Sequence, residues 1–110
     1  MISETVYRSR DNVISLVLRA RTPTSADATE QDISSCTRMQ LLIGDTLIDS
    51  ALSPTAFDWT TYGANGRLDL DIGREKGLRT GLFKTRLTIY DTTYAHGRVW
   101  GEFMLTVKEG

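Results

Sequence analysis

Two runs near the C-terminal end alternate apolar and polar residues with a period of two, and that pattern leaves little but β structure open to them. In LFKTRLTIYD, Phe83, Leu87 and Ile89 fall on one side and Lys84, Arg86, Thr88 and Tyr90 on the other. RVWGEFMLTV repeats the pattern, with Val99, Phe103, Leu105 and Val107 opposite Arg98, Trp100, Glu102, Met104 and Thr106. Between them DTTYAHG is a polar, Gly-ended connection of hairpin length. Equal-parity pairing keeps both apolar faces together, because a slip of one residue would turn one strand's apolar set to water. With a compact connection this sets Ile89 against Gly101, Leu87 against Phe103 and Phe83 against Val107. Tyr90 then stands across from Trp100, and Arg86 across from Met104.

Three further runs alternate. RLDLDIG turns Leu68, Leu70 and Ile72 inward and Arg67, Asp69 and Asp71 outward. RMQLLIG sets Met39, Leu41 and Ile43 against Arg38, Gln40 and Leu42, and NVISLVLRA offers Ile14, Leu16 and Leu18. Together these inward residues are the expected core. Phe57 and Trp59 share a parity in a short strand inside the irregular stretch 53–65. Fifteen threonines suit a pleated surface. No run of eleven residues carries helical periodicity; the one helical candidate is a turn at Arg74-Glu75-Lys76 closed by Gly77. The polar segment 21–32, with Pro23, reads as a mobile connection. At 110 residues the chain is expected to form one domain over residues 1–110. Seven or eight short strands spaced about ten residues apart point to an all-β, antiparallel immunoglobulin-like sandwich, with a small closed barrel as the rival.

Composition narrows the function classes. Thirteen basic and 14 acidic side chains give a formal net charge of -1, which removes the bulk attraction expected for nucleic acid or an anionic membrane. Apolar runs reach only about three residues, as at Leu41-Leu42-Ile43, so neither a spanning helix nor a signal-peptide core is present, and an unexported chain is expected. One cysteine, Cys36, and one histidine, His96, cannot build a zinc site or an internal disulfide. They are expected at different ends of the fold, which leaves no nucleophile–base pair. Asp69 and Asp71, about 7 Å apart along one strand face, could serve a glycosidase pair or a calcium site, but two carboxylates on an exposed strand are more often solvated. Arg74, Lys76, Arg79, Lys84 and Arg86 against Glu75 form a basic run that lacks the interleaved aromatics of a single-strand platform. The glycines never spell a phosphate-cradling loop. No catalytic set, cofactor or metal is called for.

One feature asks for a partner. Trp100, Met104 and Tyr90 interrupt the polar face of the final hairpin, rimmed by Arg86 and Arg98, and an apolar centre inside charges is the anatomy of a protein contact. The competing reading packs these side chains under the chain's own N-terminal arm or the 21–32 segment.

The stretch GLRTGLFKTRLTIYD followed by HGRVWGEFMLTV, together with NVISLVLRA, CTRMQLLIG and LDLDIG, resembles the N-terminal immunoglobulin-like domain of phage baseplate upper proteins and related small tail-associated β-sandwich modules. The likeness spans most of the chain. It implies a non-enzymatic structural protein of a tailed-phage particle (tail, baseplate or tail-fibre attachment region), made in the host cytoplasm and located in the virion. Other virion subunits would be its partners, with a homo-oligomer or ring as the assembly. That family carries no catalytic residues to transfer. In it the sandwich heads a longer chain, whereas this sequence ends three residues after Val107, which fits a small virion or assembly protein. The alternative from another class is a recognition module for a host-surface glycan or peptide, with Trp59, Tyr62 and Trp100 as stacking rings.

Overall fold

A computed structural model describes residues 3–18 and 32–110; most of the segment expected to be a mobile connection, 21–32, lies outside the described residues. The described chain is all β: β1 (Ser3–Arg8), β2 (Val13–Val17), β3 (Arg38–Ile43), β4 (Thr46–Asp49), β5 (Phe57–Asp58), β6 (Arg67–Asp71), β7 (Gly81–Tyr90) and β8 (Arg98–Glu109). Short 3-10 turns, Pro54–Ala56 and Gly63–Asn65, flank β5. The expected helical turn at Arg74-Glu75-Lys76 is instead a pair of reverse turns, opened by the Glu75 N–H donating to the Ile72 carbonyl (3.1 Å).

The strands form a five-stranded sheet in the order β1-β8-β7-β3-β4 and a three-stranded sheet in the order β2-β6-β5. Their inward residues meet in one core. Ile14 and Leu16 from β2 pair across to Leu70 and Leu68 of β6, and these pack in a single cluster with Met39, Leu41, Leu87, Ile89, Phe103, Leu105 and Val107 from the larger sheet. Alternation is what assigns them: along β2 and β6 every second residue is buried and its neighbours face outward.

Three expectations change. The pairing is not purely antiparallel, because β1 runs parallel to the last strand, from Ser3 opposite Met104 to Arg8 opposite Glu109. A parallel pair needs a long connection, and here the whole of the rest of the chain supplies it, with no helical crossover among the described residues. Phe83 is only half-buried and packs at the edge of the core. Val99 is 53% exposed and outside the core. Val6, Ile33, Ile48, Ala56, Phe57 and Leu78 join it instead.

Between β1 and β2 the chain changes sheets through a turn held by Asn12, whose Nδ2 donates to the Tyr7 and Arg10 carbonyls and whose Oδ1 accepts from the Tyr7 N–H. The turn lies directly on Gly73: a Cβ there would stand 2.4 Å from the Arg10 carbonyl oxygen and 2.6 Å from that of Tyr7, so only glycine fits.

Candidate interaction surfaces

The β7–β8 hairpin decides which side chains face a partner, and its register departs from the expected one. Gly81 pairs with Val107, Phe83 with Leu105, Thr85 with Phe103 and Leu87 with Gly101. Parity is kept, but the strands are two residues closer in register than expected. The connection explains it: Asp91 Oδ1 accepts from the N–H groups of Thr93 and Tyr94 (2.9 and 2.8 Å), and the Gly97 N–H donates to the Tyr94 carbonyl (2.9 Å), so the chain reverses sooner. Gly97, at φ +80°, lies against the Tyr90 ring, where a Cβ would come within 2.6 Å.

Between Leu87 and Thr88 the ladder then shifts, so that Thr88 pairs with Val99 and Ile89 with Arg98. Trp100 is the extra residue of a β-bulge, and the strand's phase inverts on passing it. Val99 swings to the outer face beside Thr88. Trp100 turns the other way and packs against the core, lining a cleft of about 120 Å³ with Leu16, Leu18, Leu87 and Phe103. The expected juxtapositions of Tyr90 with Trp100 and of Arg86 with Met104 are therefore corrected. Arg86 stands opposite Glu102, Lys84 stands opposite Met104, and Trp100 does not share the face of Tyr90 and Met104. Arg98 follows Trp100: its guanidinium carbon lies 4.5 Å from the Tyr94 ring centroid and 5.5 Å from that of Trp100, in cation–π range. Its Nε is buried with no hydrogen-bond partner among the described residues.

On the outer face of the five-stranded sheet, Tyr90 belongs to a polar network that the sequence does not announce. Arg38 Nε donates to Asp49 Oδ1 and Oδ2 (2.9 and 3.1 Å) and its Nη2 to Oδ2. Gln40 Nε2 donates to Asp49 Oδ2 (2.9 Å), the Tyr90 hydroxyl donates to Gln40 Oε1 (2.8 Å), and the Arg38 guanidinium lies over the Tyr90 ring. Asp49 is only 8% exposed. The Arg38 guanidinium holds its carboxyl far below the usual carboxylate range, against the opposing effect of burial and with help from Gln40 and the Ala51 N–H. Register alone assembles the group, since Arg38 is opposite Tyr90 and Gln40 opposite both Thr88 and Asp49. Further along the same face Glu102 lies between Lys84 (3.6 Å) and Arg86 (3.9 Å).

The other sequence candidates have structural partners. Asp69 accepts from Arg67 Nε and from Ser15 Oγ, both at 2.8 Å, and Arg67 first, then Ser15, lowers its carboxyl against burial. Asp71 accepts from the Asn12 N–H (3.3 Å). A polar depression formed with Thr55, Arg74, Glu75 and Lys76 takes in Asp71 but not Asp69, so the two carboxylates do not converge on one cleft. The basic run is dispersed: Arg74 pairs with Asp11 (3.3 Å) and Arg79 with Asp45, while Lys84 and Arg86 share Glu102.

The rings proposed for stacking also part company. The Trp59 indole N–H donates to the Cys36 carbonyl (2.9 Å), and Tyr62 stacks with Arg67 at 4.2 Å, while Trp100 lines the inter-sheet cleft. Cys36 and the hairpin loop, expected at different ends, lie at the same end. The Thr37 N–H donates to the Tyr90 carbonyl (2.8 Å), and burial first, then Asp91, raises the Cys36 thiol. His96 is exposed in that loop, and no hydrogen bond joins it to Cys36 among the described residues. Nor do any three His, Cys, Asp or Glu side chains among the described residues cluster to hold a metal ion. Comparisons with protein-family models, curated proteins and solved structures find no match to this chain.

Proposed function

We propose that the chain is a non-enzymatic structural subunit of a tailed-phage particle, built as an immunoglobulin-like sandwich and acting through protein–protein contacts on the outer face of its larger sheet. The observation that carries this reading is the make-up of that face. Met104, Leu42 and the exposed Leu47, Leu82 and Val99 are set among Lys84, Arg86 and Glu102, a mosaic of apolar and charged groups that suits a contact patch better than a solvated strand. Tyr90 and Arg86 contribute within the face, while Trp100 lines the inter-sheet cleft beside Arg98 and lies off that face. The resemblance of the hairpin sequence to baseplate upper proteins supplies the phage context.

The test is mass spectrometry of purified virions of the phage whose genome encodes the chain. The reading expects the protein in particles at a fixed number of copies, retained through density-gradient purification. Abundant protein in the lysate and none in the particles would contradict it.

A further inference from the structure

Among the described residues, the outward strand positions of the two sheets carry opposite charge excesses. On the five-stranded sheet the outward positions hold four basic groups, Arg38, Lys84, Arg86 and Lys108, against two acidic ones, Asp49 and Glu102. On the three-stranded sheet the described outward positions hold three acidic groups, Asp58, Asp69 and Asp71, against one basic group, Arg67. Internal pairing leaves both excesses in place, since Arg38 is matched by Asp49, Glu102 is shared by Lys84 and Arg86, and Arg67 is matched by Asp69. Each face also carries bare apolar side chains: Leu82 and Val99 on the basic one, Val13 and Val17 on the acidic one.

We propose that these faces are partners for each other in successive copies of the chain, the basic face of one molecule stacking on the acidic face of the next. Like faces would set excess charge of one sign against itself, whereas unlike faces neutralise it and cover the apolar groups. Contact between two different patches is head-to-tail, so it grows into a ring if the rotation closes and into an open stack if it does not. The inference rests on the subunit role proposed above and names the first partner as a second copy.

Sedimentation velocity of the purified chain tests it, at about 200 µM protein and at salt of about 20 mM and about 500 mM. The wild type is expected to form species of two or more copies at low salt and to fall back to monomer at high salt. Lys84→Glu with Lys108→Glu makes the basic face acidic and leaves the Arg86–Glu102 pair in place. Val13→Lys with Asp71→Lys makes the acidic face basic. Each double variant alone should be monomeric, and an equimolar mixture of the two should assemble again. A wild type that is monomeric at both salts, either variant assembling alone as the wild type does, or a mixture that stays monomeric would each overturn the proposal. Far-ultraviolet circular dichroism checks the fold of each variant. Should a charge reversal unfold the chain, Lys84→Gln and Asp71→Asn read the same contact as a dissociation constant at least about tenfold weaker, and an unchanged constant overturns it. A monomeric chain found in virions would defeat this stacking and leave the subunit role standing; a stacking chain absent from virions would do the reverse.

Discussion

The two halves of β8 obey different rules. From Phe103 to Val107 alternation is strict: Phe103, Leu105 and Val107 are buried while Met104 and Thr106 face out, with β7 on one side and the parallel β1 on the other. From Arg98 to Gly101 the same apparent alternation in sequence gives the opposite outcome, with Val99 in water and Trp100 against the core. One inserted residue separates the halves. An alternating pattern therefore reports burial only for as long as the ladder beside it stays in phase, and a bulge reverses its meaning without altering the pattern.

Truncating matched positions in each half of β8 separates the two behaviours most strongly. Phe103→Ala should cost about 3–5 kcal/mol, leaving a domain of this size largely unfolded in a denaturant titration. Trp100→Ala should cost about 2 kcal/mol, since the ring is partly buried and its loss opens the cleft beside Leu16 and Leu87. A Trp100 variant of wild-type stability would return this residue to the solvent face.

Next in size is the polar group on the outer face. Asp49→Asn should cost about 1–2 kcal/mol at neutral pH, because it weakens a charge-assisted pair in which the Asp49 carboxylate is buried while Arg38 stays partly open to solvent. The sign with pH follows from a carboxyl depressed in the folded state. Its contribution is complete above the ordinary Asp value and is lost as pH falls below it, so wild-type stability should decline on acidification below about pH 4. In the variant that part of the decline should vanish, as read from melting temperatures across the acid range. The smallest effect belongs to Val99→Ala, within about 0.5 kcal/mol of wild type despite removing an apolar residue from an apolar-looking run.

Much of the core was legible because the period-two rule acts locally: Ile14, Leu16, Met39, Leu41, Leu68 and Leu70 are each buried by their own strand's alternation. What escaped depends on distant partners. SETVYR offers one strong apolar residue, Val6, and becomes a strand because β8 supplies a parallel edge about a hundred residues later. TLID is too short to show a period and is recruited by β3. The bulge at Trp100 has no local signature, since it exists only in the pairing of β8 with β7. At the candidate surface, Tyr90, Met104 and Arg86 fell on the outer face as their parity implied. Nothing local marks Arg38, Gln40 and Asp49 as their neighbours, since only the pairing of β3 with both β4 and β7 brings them together.

The register of the last hairpin decides which side chains face out, and cross-strand backbone nuclear Overhauser effects read it directly. Contacts of Leu87 with Gly101 and of Thr88 with Val99, together with Trp100 ring contacts to Leu16 and Leu18, are the expected result. Contacts of Leu87 with Phe103 and Ile89 with Gly101, with the Trp100 ring near Tyr90, would mean an unbroken ladder and contradict it.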